Sequence, residues 1–168
     1  MGGLKNYDMS LSASIRSRLR HQHETIRELI GDLPEQQLRR RIDAAKWSAF
    51  ENISHLACYQ PVFLHRIQRI QEENNPFFPR YVAEADPTFP GYVQQSLEGL
   101  LGSIGTDRQT LIARLEGMDE TGLRRTGLHA RYGQFPLSQW AEFFLLHESH
   151  HLYTIFMMVQ ELHRGLPE

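Results

Sequence analysis

The stretch PLSQWAEFFLLHESHHLYTIFMMVQEL, residues 136–162, repeats apolar residues at the spacing of an amphipathic helix. At about 100° per residue, one face collects the large apolar side chains Leu137, Trp140, Phe144, Ile155 and Met158. His147 and His151 fall on the same face, at positions where leucine would be the default. The pattern therefore predicts a long helix that turns two histidines toward the interior of the protein.

Two histidines four residues apart on a helix place their ring nitrogens near a common point, as in H-x-x-x-H metal sites. Neutral imidazole binds zinc, nickel, copper or iron. A structural alternative stays open, because buried imidazoles also satisfy their nitrogens by hydrogen bonds within a core. Two ligands are too few for a tight site, so the metal hypothesis requires a third ligand from another helix.

Three further segments carry helical periodicity. Together with the last helix, they are predicted at about residues 10–30, 48–73, 92–117 and 136–163. Ser48 and Glu51 form a capping box at the start of the second helix, and Pro61 is predicted to bend or break it. Gly165 and Pro167 are the predicted stop signals of the last helix.

Two long connections, residues 74–91 and 118–135, separate these helices. The first holds four prolines and four aromatic residues, and the second is rich in glycine and arginine. Loops of this length are often functional. No sustained period-two pattern is present, so no major sheet is expected. The chain is therefore predicted to be all-α, a single four-helix-bundle domain over residues 1–168 with long crossover loops.

Composition excludes several classes of function. The chain has 168 residues, is 40% hydrophobic and carries a net charge of −2, so it lacks the strongly basic face of a nucleic-acid binder. Its one cysteine, Cys58, cannot form an internal disulfide. The first ten residues contain no apolar signal region, and no stretch approaches the ~20 apolar residues of a membrane span. A cytoplasmic protein that binds neither nucleic acid nor membrane is expected.

The third ligand has several candidates. Outside the HESHH motif, the histidines are His21, His23, His55, His65, His129 and His163. Periodicity does not select His55, which lies roughly 120° from the centre of the apolar face of the second helix. An edge position is an equally good interpretation of that angle, although Asn52, Tyr59 and Val62 share its face.

The segments KWSAFENISHLA, residues 46–57, and GLHARYGQFPLSQWAEFFLLHESHHLYTI, residues 127–155, resemble the DinB/YfiT superfamily. The family motifs are a Trp-Ser helix start, a histidine followed by an apolar residue about two turns later, and a late H-x-x-x-H helix. They match Trp47, Ser48, His55, Leu56, His147 and His151. The resemblance covers most of the chain, but the specific residues are few.

The resemblance implies a four-helix bundle with an up-down-down-up order of helices, and a homodimer. It also implies that His55, His147 and His151 bind a divalent transition metal, with zinc or nickel expected. One departure is Cys58, which stands where many members carry an acidic residue. Its thiol could approach the metal, although a small packed side chain is the simpler interpretation.

Three histidine ligands leave coordination positions open for water or substrate. The resemblance therefore implies a metal-dependent hydrolase, or a thiol S-transferase with a low-molecular-weight thiol, acting on a small electrophilic molecule. A non-catalytic bundle that binds a metal or small molecule, and a purely structural bundle, stay open as alternatives. Glu148, His150 and His129 are the candidate catalytic residues; for Glu148 a flanking position and for His150 a solvent-facing one are the alternatives.

Two further features bear on the site. Asp107 and Arg108 interrupt the apolar face of the third helix. A charge buried there requires a partner, so these residues could pair with polar residues such as Gln22, or they could line the site. The aromatic residues of the first long connection could form a lip over the pocket or a hydrophobic lid on the bundle. They are Phe77, Phe78, Tyr81 and Phe89.

Overall fold

The protein's structure, a computed structural model, describes residues 11–165. The helices are α1 (Ala13–His21), α2 (Thr25–Ile30), α3 (Glu35–Leu38), α4 (Ala49–Glu72), α5 (Phe89–Val93), α6 (Leu97–Glu116), α7 (Glu120–Arg124) and α8 (Leu137–Arg164). The strands are β1 (Phe77–Phe78), β2 (Thr126–His129) and β3 (Gly133–Pro136). The predicted helix start near residue 10, the stop signal Pro167 and the first ten residues lie outside the described residues.

Two hydrophobic clusters at opposite ends of the bundle define the directions of its helices. One cluster joins α1, the C-terminal half of α4, the end of α6 and the start of α8. The other joins α2, the start of α4, the start of α6 and the end of α8. A 3-10 turn, Gln22–Glu24, links α1 to α2. The pair α1–α2 and helix α8 therefore run one way while α4 and α6 run the other, and the predicted bundle with up-down-down-up order is confirmed.

Helix α4 begins as its sequence predicts. Ser48 Oγ accepts the backbone N–H of Glu51, whose side chain accepts the N–H of Ser48. Pro61 lies inside the helix but does not break it. Residues 57–60 before Pro61 are buried, as are Phe63 and Arg66 after it, so packing holds the helix across the missing hydrogen bond.

The third predicted helix begins later than expected. Helix α5 ends at Val93, and α6 begins at Leu97 after an interruption. Ser96 causes the new start, because its Oγ accepts the N–H of Gly99 at 3.2 Å and caps the helix.

A small sheet joins the two long connections. Strand β1 pairs in parallel with β2, and β2 forms an antiparallel hairpin with β3. Gly133 has φ +85, which favours glycine after the hairpin turn. Gly127 lies so close to α4 and β1 that an added Cβ would be 2.7 Å from Cε2 of Phe78. Strands of two to four residues are too short to show alternation, so sequence patterning did not detect them.

Within residues 11–165, no helix is both long enough and apolar enough to cross a membrane.

Candidate metal centre

Three histidines from two helices meet in the middle of the bundle. His55 lies on α4, and His147 and His151 lie one turn apart on α8. The Nε2 atoms of His55 and His147 are 3.0 Å apart, and one nitrogen of each ring lies within 4.8 Å of the others. Bonds of about 2.0–2.1 Å with angles of about 90–109° separate two ligand nitrogens by about 2.9–3.4 Å. The three rings therefore need only small shifts to share one ion.

His55 is buried although its helical angle suggested an edge. Its side chain is 5% exposed, and every residue from Asn52 to Gln60 is buried. Helix α4 packs against α5, α6 and α8, so it has no solvent-facing side along this stretch. Its periodicity consequently cannot separate inward from edge positions.

Asn52 orients the third imidazole. Its Nδ2 donates to the carbonyl of Ser48 at 2.8 Å, which leaves Oδ1 to accept from Nδ1 of His151, also at 2.8 Å. Nδ1 of His151 then carries the proton, and Nε2 keeps its lone pair for a ligand. Sequence analysis noted the position of Asn52 but not this role, which its spacing of three residues before His55 could have suggested.

The three imidazoles are neutral at physiological pH. Burial, aided by the neighbouring His151, lowers the pKa of His55 to about 3. Burial and adjacent imidazoles also lower the pKa of His147 and of His151 to about 3. Desolvation disfavours the charged ring in each case. Unprotonated nitrogens are the form that binds a metal.

Aromatic side chains hold the rings in place. Tyr59 packs beside two of the histidines, with its ring centroid 4.5 Å from that of His147 and 6.0 Å from that of His55. The ring centroids of Trp47 and His55 are 5.2 Å apart. Within the described part of the chain, Nδ1 of His55 and Nδ1 of His147 have no hydrogen-bond partner. Apart from the Nε2–Nε2 contact between them, packing therefore orients these two rings.

The donor set fits a transition-metal ion better than a hydrogen-bonded core. A single N–H···N bond can join His55 to His147, but the third imidazole then remains as a further lone-pair donor in the same cluster. One cation with imidazole affinity satisfies all three rings together. Within residues 11–165, no other set of three histidine, cysteine or acidic side chains comes together in this way.

A cavity of ≈ 340 Å³ opens onto the three histidines. Aromatic side chains form part of its wall, while Arg66, Arg80, Arg131 and Glu84 are its charged lining residues. Its volume suits a small organic molecule.

His129 is the candidate catalytic residue that lines this cavity. It is 4% exposed and lies at the end of β2. Its Nδ1 accepts the backbone N–H groups of Arg131 at 3.1 Å and Tyr132 at 3.3 Å, so Nε2 carries the proton. Burial, with smaller effects from Arg66 and Arg131, lowers the pKa of His129.

The other two candidates lie outside the cavity. His150 is exposed on α8. Glu148 is 1% exposed and forms an ion pair with Arg108, which is fully buried. Oε2 of Glu148 also accepts from Gln22 at 2.8 Å, and Nη1 of Arg108 donates to the carbonyl of Leu19 at 3.2 Å. Glu148 is therefore neither a surface flank nor a cavity base, and the predicted partner Gln22 joins the same network.

Some aromatic residues of the first long connection lie at the site, whereas others and Cys58 do not. Cys58 is 2% exposed, its Sγ lies 3.2 Å from the hydroxyl of Tyr81, and burial raises the pKa of its thiol. It is packed beside the histidine cluster rather than part of it. Tyr81 lines the cavity and Phe89 packs against His55, whereas Phe78 is a core residue and Phe77 is exposed.

Arg66 is a lining residue that sequence analysis missed. It follows His55 and Tyr59 on one face of α4, at spacings of i, i+4 and i+11. Its Nη1 donates to the hydroxyl of Tyr59 at 3.0 Å. This spacing was the available signal, because an arginine in line with a histidine and a tyrosine extends a polar strip along a buried helix.

The chain is similar to proteins of one known family. The family model of the DinB superfamily matches residues 18–155. YfiT from Bacillus subtilis, described as a probable metal-dependent hydrolase with an unusual four-helix bundle topology, superposes with a TM-score of 0.76 at 17% identity, over 98% of this chain and 94% of YfiT. The DinB-like protein YjoA from Bacillus subtilis superposes with a TM-score of 0.60 at 20% identity, over 92% of this chain and 96% of YjoA. No curated protein sequence matches the chain significantly.

Proposed function

We propose, from the premise that the chain belongs to the DinB superfamily, that it is a metal-dependent enzyme acting on a small electrophilic molecule. His55, His147 and His151 would hold one divalent transition-metal ion, with zinc or nickel expected. The observation that carries the proposal is the convergence of three neutral imidazoles, one buried and two half-buried, beside a small cavity. A bound ion supplies Lewis acidity to a water, thiol or carbonyl oxygen in that cavity.

The chain's own side chains supply the rest of the chemistry. Trp47, Tyr59 and Tyr81 exclude water from one side of the cavity and position an organic ligand. Nε2–H of His129 is available as a hydrogen-bond or proton donor, because Nδ1 is engaged by the backbone. Asn52 keeps His151 in the tautomer that presents Nε2.

Hydrolysis is the first candidate reaction, in line with the description of YfiT as a probable metal-dependent hydrolase. Transfer of a low-molecular-weight thiol is the second, since histidine-bound zinc or nickel also stabilises a thiolate.

The homodimer expected from the family resemblance stays a prediction, which sedimentation equilibrium of the full chain would test.

Metal analysis of the purified protein tests the centre. We expect about one ion per chain in the wild type and in His150→Ala, and loss of the ion in His147→Ala. His150 is the matched control because it is exposed on the same helix and does not line the cavity. Equal, substoichiometric metal in all three proteins would refute the proposal.

Activity then separates an enzyme from a binder. Small esters and amides, and conjugation of glutathione, bacillithiol and mycothiol to generic electrophiles, should be assayed with and without a chelator. We expect turnover that the chelator abolishes and that added zinc or nickel restores. Stoichiometric metal without turnover on any of these substrates would favour the non-catalytic binding bundle.

A further inference from the structure

Arg66 carries a buried charge that has no counter-ion among residues 11–165. Its side chain is 5% exposed, and its guanidinium packs among the rings of Phe78 and Trp140 at 5.6 and 5.5 Å. Its hydrogen-bond partners are the hydroxyl of Tyr59 and the carbonyl of Pro79, both neutral groups. No carboxylate within residues 11–165 forms an ion pair with it, although buried charges in proteins are ordinarily paired.

The unpaired guanidinium lies in the wall of the cavity that holds the histidines. Tyr59 accepts its hydrogen bond and packs 4.5 Å from His147, so about one tyrosine ring separates the charge from the histidine cluster. A guanidinium has five N–H donors, and two protein acceptors leave donors available to a ligand.

Two further arginines extend the positive charge to the mouth of the cavity. Arg80 follows β1 in the first long connection, next to Tyr81, and Arg131 lies in the turn of the β2–β3 hairpin. Both are exposed, and neither forms an ion pair within the described residues. Glu84, also exposed, is the acidic residue of the lining, so the cavity is positive before any metal ion is added.

We propose that Arg66, together with Arg80 and Arg131, forms a subsite for an oxyanion group, a carboxylate or a phosphate, borne by the molecule on which the histidine centre acts. The reaction rests on the function proposed above, whereas the subsite needs only the arginines. Arginine suits this task because its planar fork donates two parallel hydrogen bonds to such a group. The substrate would place its acid group beside Tyr59 and its reacting atom beside the histidines.

Calorimetric titration of the zinc-loaded full chain tests the subsite with three probes that share a phenyl ring. Benzoate carries a carboxylate, phenylphosphonate carries a tetrahedral oxyanion, and benzamide is neutral. We expect one or both anions to bind roughly tenfold or more tightly than benzamide. The tighter of the two anions distinguishes a carboxylate subsite from a phosphate subsite.

Variants locate the binding. Arg66→Gln should weaken anion binding roughly tenfold or more, and the double variant Arg80→Gln/Arg131→Gln roughly two- to fivefold. Arg124→Gln, which removes an exposed arginine paired with Glu120, is the control and should leave binding unchanged. If Arg66→Gln does not fold, the double variant carries the test, because both of its sites are exposed.

Anion affinities equal to that of benzamide would overturn the subsite. Anion affinities equal in all variants would also overturn it, because the anion would then bind elsewhere in the chain or to the zinc alone. Zinc content measured on the same samples separates this failure from that of the proposed function. Normal zinc without an anion preference removes the subsite only. An arginine-dependent anion preference in a protein that retains no zinc removes the proposed metal chemistry only.

Discussion

Arg108 and Arg66 are both buried in the bundle, yet their surroundings differ. Arg108 pairs with Glu148 and donates to the carbonyl of Leu19, in a network that is closed to solvent. Arg66 has neutral partners and lies in the wall of a cavity. The difference indicates that the fold itself neutralises the charge of Arg108, whereas the charge of Arg66 is left to the anion of the proposed subsite.

Breaking the ion pair between Arg108 and Glu148 should give the largest loss of stability. Glu148→Ala would leave Arg108 buried without an anion, and we expect the free energy of unfolding to fall by about 3–5 kcal/mol. Urea denaturation measures it. The control is Glu142→Ala on the same helix, whose partly exposed pair with Arg18 should contribute about 1 kcal/mol or less. Equal losses in the two variants would contradict this account.

We expect acid to destabilise the metal-free protein by protonating the three histidines that line the cavity. The three histidines have a pKa of about 3 in the fold, against an ordinary value of 6.5, so the unfolded chain binds more protons between these values. The free energy of unfolding should therefore fall as pH falls from 6.5 toward 3, by up to about 1.4 kcal/mol per pH unit for each histidine. Thermal unfolding across this window should show a shallower slope in His147→Ala than in the wild type. An unchanged slope in His147→Ala would refute the assignment.

The variant Asn52→Ala tests how the candidate metal centre is oriented. Without Oδ1 of Asn52, His151 loses the acceptor that selects its tautomer. We expect zinc affinity to fall about 10–100-fold, as measured by competition with a chromogenic chelator. Ser54→Ala is the control, since this buried hydroxyl on α4 donates to the carbonyl of Phe50 instead. Comparable zinc affinity in Asn52→Ala and the wild type would exclude this role.

Replacing the unpaired arginine should give the smallest effect on stability. Arg66→Met removes a buried charge that has no carboxylate partner in the described part of the chain, and it keeps an apolar stem of similar length. We expect the free energy of unfolding to change by about 1 kcal/mol or less, in either direction. A loss as large as that in Glu148→Ala would mean that Arg66 is structural and would remove the contrast between the two arginines.

Sequence alone predicted the bundle and part of its site. The apolar faces of the long helices, the capping box of Ser48 and Glu51, and the inward positions of His147 and His151 all follow from local spacing. His55 did not, because α4 is buried on all sides around it and lacks a polar face to set the phase. Its place beside the other histidines was implied by family resemblance.

Long-range partners were beyond the reach of spacing. Glu148 flanks the apolar face of α8, and it is buried because Arg108 meets it from α6. Likewise, the strands that carry His129 and Arg131 to the cavity depend on pairing between segments about 50 residues apart. Sequence patterning detects periods within an element and cannot identify such partners.

The absence of a side chain at Gly127 has a consequence for selectivity. Strand β2 rests directly on Phe78 and Ile70, and the hairpin turn that carries Arg131 and Tyr132 projects from this fixed base. The turn can change its residues while its base and the histidines on α4 and α8 stay in place. In the proposed function, substitutions in this turn would therefore change the ligands that the cavity accepts while the three histidines are preserved.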